Sequence, residues 1–127
     1  MTDEPLRSSH EELAAARHLA EGGFPAQAVS RAYYAAFRAA EAALGAVGET
    51  RSRHAGVISA FVRHVVKAGG LDEDAGRILR SLFERRNLAD YVPIEVPPAE
   101  AASAIQDAER FVTAVAAWLD GPRRVDG

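Results

Sequence analysis

Residues 80–93, which read RSLFERRNLADYVP, close the most clearly patterned helical segment of the chain. Just before and within this stretch, apolar residues recur at the spacings of one helical face: Ala75, Ile78, Leu79, Leu82 and Phe83. One turn further, the same face predicts inward positions for Arg86 and Asp90, with Asn87 and Tyr91 beside them. The pattern therefore predicts an arginine and a carboxylate where apolar side chains are expected.

An inward-facing charge costs on the order of several kcal/mol unless it is paired. Arg86 and Asp90 are four residues apart and can pair along the helix as a structural salt bridge. The same pattern is also typical of working sites, so both interpretations stay open. The order of the pair, arginine before aspartate, is the less favourable one for the helix dipole. It favours another partner for Arg86, such as a second chain, another helix or a phosphate.

Length and composition predict one all-α domain. The 127 residues suit a single domain, and 48% of them are apolar, which is enough for a packed core. Much of this apolar content is alanine, so helices can approach closely but bulky side chains are few, and pairing with a second subunit would help. The formal net charge of −3 gives no general attraction to nucleic acid.

Several classes of protein are excluded by what the sequence lacks. It has no cysteine, which rules out disulfides and thiol chemistry, and its four histidines show no metal-ligand spacing. We therefore predict no metal and no cofactor. The N-terminus is polar, and no apolar run approaches about 18 residues. These features predict a soluble, cytoplasmic protein without a membrane span.

Helix signals divide the chain into an up-and-down antiparallel bundle of four to five helices within one domain, residues 1–127. Residues 1–7 and 121–127 are predicted to be flexible ends. The first helix is predicted to start at a capping box, in which Ser8 and Ser9 precede Glu11 and Glu12 by three residues, and to run to Glu21. The others are predicted at 25–47, 54–69, 72–91 and 98–120, with Asp72 as the cap of the fourth.

The second helix carries a core stripe at intervals of three or four residues: Val29, Tyr33, Phe37, Ala40 and Leu44. Tyr34 lies beside this stripe. Because the stripe needs at least two of its aromatic residues, we favour core and interface packing for Tyr33, Tyr34 and Phe37 over a platform for stacking bases.

A locally basic stretch follows. No acidic residue occurs from Thr50 to Leu71 in an otherwise acidic protein. Arg51, Arg53, His54 and Arg63 are our candidates for binding phosphate or RNA. An ordinary solvated face is the simpler interpretation, and a surface for a polyanion or an acidic partner is the alternative.

Three stretches together resemble the HEPN family, and more closely its small stand-alone prokaryotic branch. They are SRAYYAAF at residues 30–37, RHAGVISAF at 53–61 and LFERRNLADY at 82–91. Their order and spacing carry the resemblance, which spans nearly the whole chain. It implies a bundle of four main helices that dimerises, with a pocket at the dimer seam.

The resemblance also implies functions. Many HEPN proteins are metal-independent ribonucleases that serve as toxins or antiviral effectors. Many are encoded beside a minimal nucleotidyltransferase that acts as the antitoxin and, in some pairs, transfers AMP to a tyrosine near the catalytic motif. Tyr91 would be the corresponding acceptor here.

The family's catalytic pattern is an arginine, a polar residue and then a histidine about four to six residues after the arginine. Arg86 and Asn87 match its first two positions, but Asp90, Tyr91 and Val92 stand where the histidine would be. His54 or His64 of the third helix could lean in instead, although a capping or exposed role is the simpler interpretation for each.

Three hypotheses follow. The first is a HEPN protein of toxin–antitoxin type, an atypical metal-independent endoribonuclease whose site is Arg86, Asn87, Asp90 and Tyr91, paired across a homodimer. The second is a non-enzymatic module that binds a nucleotide or RNA, or docks a nucleotidyltransferase. In the third, the motif only holds the fold together.

Overall fold

The computed structural model describes residues 4–121, and they form an all-α bundle. Its helices are α1 (Arg7–Glu21), α2 (Pro25–Ala46), α3 (His54–Phe61), α4 (Glu73–Tyr91) and α5 (Pro98–Asp120). The predicted fold class is confirmed, and the predicted helix limits agree closely for α2, α4 and α5. Of the predicted flexible ends, residues 1–3 and 122–127 lie outside the described part. No helix of residues 4–121 is both long and apolar enough to cross a membrane.

Helix α2 is the centre of the bundle, since it packs against α1, α3, α4 and α5. The predicted stripe on α2 is buried throughout, which confirms core packing for Tyr33 and Phe37. Small side chains separate the larger ones and are themselves buried: Ala28, Ala32, Ala35, Ala36, Ala39, Ala40 and Ala43. These alanines let the neighbouring helices approach closely on several sides.

The start of α1 differs from the prediction. A short 3-10 turn at Glu4–Leu6 leads directly into α1, and Leu6, only 3% exposed, belongs to the core. Leu6 occupies the cap position, no side chain caps the helix, and Ser8 and Ser9 lie inside the first turn. The predicted capping box is therefore wrong. Burial of Leu6 anchors the chain before the serines and starts the helix earlier.

The third predicted helix has two parts. The α-helix ends at Phe61, and residues Val62–Lys67 continue it as a wider π-helix. Val65 and Val66, adjacent in sequence, are both buried there. On α4, Gly76 lies against this segment, and a Cβ at Gly76 would stand 3.3 Å from a methyl group of Val62. A Cβ at Gly76 would therefore require the side chain of Val62 to move by a few tenths of an ångström.

Helix α4 starts as predicted, at an Asp72 cap. The Oδ1 atom of Asp72 accepts a hydrogen bond of 2.9 Å from the backbone N–H of Asp74. Replacing Asp72 by alanine leaves that N–H to water, and we expect the free energy of unfolding to fall by about 1 kcal/mol. Urea unfolding of the two proteins measures this difference. An unchanged midpoint would show that the cap contributes nothing to the fold.

Two adjacent arginines of α4 point to different parts of the bundle. Arg85 turns to α5, where its Nε donates to Glu100 at 2.7 Å and its Nη1 to Asp107 at 3.0 Å. A further bond of 3.0 Å joins its Nη2 to Ser103. Arg85 thus connects α4 to α5, and Arg86 is left to face α2.

Candidate functional site

Arg86 lies on the inner face of α4, as the helical pattern predicts, and is only 9% exposed. Its guanidinium carbon is 5.0 Å from the ring centre of Tyr33, 5.6 Å from that of Tyr34 and 5.8 Å from that of Phe83. Attraction between a cation and the faces of aromatic rings offsets part of the cost of burying the charge. Aromatic side chains of α2 and α4 therefore surround the guanidinium group of Arg86.

The hydrogen-bonding capacity of Arg86 is not filled within the described chain. Its Nε is buried and has no hydrogen-bond partner there. Its Nη1 is 3.6 Å from Oδ2 of Asp90, so the predicted pair along the helix does form, but as an ion pair longer than a hydrogen bond. A buried donor without an acceptor is unfavourable. The loose pair with Asp90 leaves Nη1 available for a better acceptor, such as an anionic ligand.

His54 reaches the same place from the first position of α3. Its Nδ1 is 2.7 Å from the hydroxyl oxygen of Tyr33. Its ring stacks on Phe37, with the ring centres 4.2 Å apart and the planes 12° from parallel. One hydrogen bond and one stacking contact thus fix both the position and the plane of the imidazole.

The electrostatics of this cluster favour neutral rings. Burial lowers the pKa of His54 below its usual value, and the positive charge of Arg86 lowers it further. Burial raises the pKa of the Tyr33 hydroxyl well above its usual range, and Arg86 opposes only part of this shift. At neutral pH the imidazole of His54 is therefore largely neutral, and the Tyr33 hydroxyl stays protonated.

Tyr34 marks the outer side of the cluster, where three arginines gather round one ring. The guanidinium carbon of Arg31 is 4.7 Å from the Tyr34 ring centre and that of Arg38 is 6.0 Å away, in addition to Arg86. Arg31 pairs with Glu12 at 2.9 Å and Arg38 with Glu41 at 3.2 Å. Each cation thus has one carboxylate, and the cluster is balanced in charge.

The other residues predicted at this site lie further out. Asp90 is exposed, with 34% of its side chain accessible, although the spacing predicts it inward. The predicted inward position of Asp90 is therefore wrong. The last turn of α4 that is covered by the core ends before Asp90. Asn87 is half-buried, and Tyr91 is 74% exposed at the end of the helix.

The predicted phosphate-binding residues separate into two groups. His54 joins Arg86, whereas Arg51, Arg53 and Arg63 are exposed around the start and outer side of the third helix. Arg51 donates to Glu49 at 3.0 Å and to the Thr50 carbonyl at 2.7 Å. These three arginines are therefore more exposed than His54, which is partly buried.

Sequence reasoning missed the role of Tyr33 and Tyr34 in enclosing Arg86. A signal was available, since a tyrosine in a core stripe brings a hydroxyl that needs a partner when buried. His54 supplies that partner from a separate helix, and the apolar periodicity of α2 does not reveal it.

The arrangement can bind an anion and accept a proton. Arg86 offers a fixed and loosely paired positive charge, and His54 offers a neutral ring nitrogen close to it. No group of three or more metal-binding side chains occurs within residues 4–121. The chemistry these residues can support is that of acid–base groups and phosphate binding.

Comparison with known proteins places the chain in a family. The HEPN domain family matches residues 3–118. A protein of Methanocaldococcus jannaschii named "Putative toxin" is 38% identical over 107 residues, which cover 84% of this chain and 80% of that protein. A "UPF0332 protein" of Thermotoga maritima is 35% identical over 98 residues, 76% of this chain and 74% of the relative. The chain belongs to the HEPN domain family.

Proposed function

We propose that this protein is a toxin-like HEPN protein that cleaves RNA without a metal ion, and that His54 takes the place of the histidine absent from α4. The observation that carries the proposal is the guanidinium group of Arg86, only loosely paired with Asp90 at 3.6 Å, within the same aromatic cluster as a neutral, oriented histidine. The names of two relatives support the toxin part of the proposal. One is the M. jannaschii protein that is 38% identical to this chain, and the other is a second M. jannaschii protein named "Putative toxin", which is 26% identical over 115 residues.

The reaction needs a base, a positive charge at phosphorus and a route for one proton. With a proton on Nδ1 facing the Tyr33 oxygen, Nε2 of His54 is free to take the proton of a ribose 2′-hydroxyl. The 2′-oxygen then attacks the adjacent phosphorus, and the bond from phosphorus to the 5′-oxygen breaks. Arg86 stabilises the added negative charge, and water protonates the leaving oxygen. The products are a 2′,3′-cyclic phosphate and a 5′-hydroxyl.

Two partners belong to the proposal: a second copy of the chain and a minimal nucleotidyltransferase antitoxin. Large apolar side chains are exposed at the end of α4 and just after it: Leu88, Tyr91, Val92 and Ile94. Asp90, the ion-pair partner of Arg86, is adjacent to Tyr91 in the sequence. A contact made there would bring a second chain close to Arg86 and cover exposed apolar area.

Incubation of the purified protein with a mixed RNA pool in EDTA tests the proposal. We expect cleavage that EDTA does not reduce and fragments that end in a 2′,3′-cyclic phosphate. A DNA pool of the same sequences is the control and should stay intact, because it lacks the attacking hydroxyl. RNA that stays intact at high protein concentration would refute the ribonuclease proposal.

A non-enzymatic module that binds RNA or a nucleotide is the second candidate. It is favoured by Arg53 and Arg63, which are exposed, form no ion pair with a described residue and suit an anion better than they suit proton transfer. In that case RNA would bind with a strong dependence on salt concentration and would remain uncut.

A further inference from the structure

A polar cleft is lined in part by Asp90, the ion-pair partner of Arg86. It is open to solvent, has a volume of about 430 Å³ and lies among α1, α2 and α4. Leu19, Ala26 and Ala89 form its apolar surfaces. The polar groups are Gln27, Ser30, Arg31 and Asp90. This volume can hold one nucleoside, and the mixture of apolar and polar walls is typical of small-molecule sites.

Two of these polar groups are not used by the fold. The side chains of Gln27 and Ser30 form no hydrogen bond to any residue of the described chain. Arg31 is already paired, because its Nη1 donates to Glu12 at 2.9 Å. The cleft therefore offers the amide of Gln27 and the hydroxyl of Ser30, each able to donate or accept a hydrogen bond, beside the paired guanidinium group of Arg31.

Asp90 belongs both to the cleft and to the surroundings of Arg86. Its Oδ2 is 3.6 Å from Nη1 of Arg86, and 34% of its side chain is accessible. An ion pair this long and this exposed is weak, so a better donor can draw the carboxylate towards the cleft. Such a donor would also leave Nη1 of Arg86 free for a phosphate.

We propose that the cleft binds the guanine base of an RNA nucleotide whose phosphate lies at Arg86, with Asp90 as the residue that recognises the base. The inference rests on the proposed function and names the substrate class of its site. A carboxylate only accepts hydrogen bonds. Guanine alone among the four bases presents two adjacent donors, N1–H and the 2-amino group, on its pairing edge. Unstacked bases of single-stranded RNA are commonly read on that edge.

The other bases fit the carboxylate less well. Adenine and cytosine each place a ring acceptor beside their amino group, and uracil has one donor between two carbonyl oxygens. Each would direct an acceptor at Asp90. Gln27 and Ser30 have donors for the O6 atom of guanine. The cleft therefore predicts cleavage beside guanosine.

Nucleotide binding to the full chain tests the inference without requiring cleavage. Guanosine 3′-monophosphate is compared by calorimetry with inosine 3′-monophosphate, which lacks only the 2-amino group, and with adenosine 3′-monophosphate. Loss of one hydrogen bond to a charged acceptor predicts about tenfold weaker binding of the inosine nucleotide, and adenosine should be weaker still. Equal affinities for the guanosine and inosine nucleotides would overturn the proposal.

Substitution of Asp90 by asparagine should remove the preference, because the amide offers one acceptor where the carboxylate offers two. We expect the tenfold difference to shrink to about twofold or less. Glu84→Gln is the matched control, since Glu84 is exposed on α4, forms no ion pair with a described residue and changes the net charge equally. A preference that survives Asp90→Asn would also overturn the proposal.

The outcome for RNA separates this inference from the proposed function. If the chain prefers the guanosine nucleotide and leaves RNA uncut, the guanine site stands and the ribonuclease proposal fails. If the chain cuts RNA equally beside all four bases and binds the nucleotides equally, the guanine site fails and the ribonuclease proposal stands.

Discussion

Replacing Arg86 by methionine is expected to lower the rate of RNA cleavage by about 10²–10³-fold and to leave the free energy of unfolding within about 1 kcal/mol of the wild type. Arg86 is 9% exposed, and its Nε has no partner in the described chain. Removing one partner of an ion pair is costly when the other stays buried, but the partner of Arg86 is Asp90, which is exposed and can be solvated by water. Methionine also packs well against the surrounding rings.

The loss of activity has a separate cause. A guanidinium group that stabilises charge building up on phosphate oxygens contributes about 10²–10³-fold to a rate, and methionine supplies no substitute. Cleavage of a defined RNA, measured beside urea unfolding of the same preparations, tests both halves of the prediction. A methionine variant that cuts RNA at the wild-type rate would show that Arg86 takes no part in the reaction.

Arg85→Met is the matched control, because it removes the adjacent arginine from the same helix. Arg85 bonds to Glu100 and Asp107 of α5, so its loss leaves both carboxylates without this partner. We expect a loss of about 2 kcal/mol in unfolding free energy, a value reduced from that of a fully buried pair because the carboxylates are partly exposed. Folded Arg85→Met should still cleave RNA. Arg86→Met should therefore lose activity and keep its stability, whereas Arg85→Met should lose stability and keep its activity.

His54→Gln is expected to lower the cleavage rate by about 10²–10⁴-fold, the usual contribution of a general base. Glutamine keeps a polar group near the Tyr33 hydroxyl but cannot take a proton at neutral pH. Single-turnover cleavage at saturating protein measures the chemical step directly. His64→Gln is the control, since His64 lies on the π-helix 3.8 Å from Glu49 and should keep full activity. The opposite result for the two variants would assign the base to His64.

The pH dependence follows from the lowered pKa of His54. A base acts when it is unprotonated, so the wild-type rate should rise with pH through a pKa below about 6.5 and then stay level near neutrality. His54→Gln should remove this rise. A midpoint above about 6.5 in the wild type would contradict the assignment, since burial and Arg86 both favour the neutral ring.

The same shift has a consequence for stability. In the unfolded chain His54 has its ordinary pKa of about 6.5, so between this value and the lower folded pKa the unfolded state holds the extra proton. The free energy of unfolding should therefore decrease as the pH falls through this window and level off below the folded pKa. The decrease should be smaller in His54→Gln.

The sequence by itself determined the helices and the buried position of Arg86. Apolar spacing and caps are local properties, so they predicted α2, α4 and α5, the Asp72 cap and an arginine on an inward face. They failed where a distant contact overrides a local signal. Burial of Leu6 displaced the capping box at Ser8 and Ser9, and the end of core cover left Asp90 at the surface.

Only the tertiary structure decided what surrounds Arg86. His54 and Tyr33 are 21 residues apart, and their 2.7 Å contact forms because α3 packs against α2. Periodicity reports which side of a helix is buried, but it carries no information on which side chains meet across helices. The sequence shows no connection between the absence of a histidine from the α4 motif and the presence of His54 at the start of α3. The packing of three helices brings His54 beside Arg86.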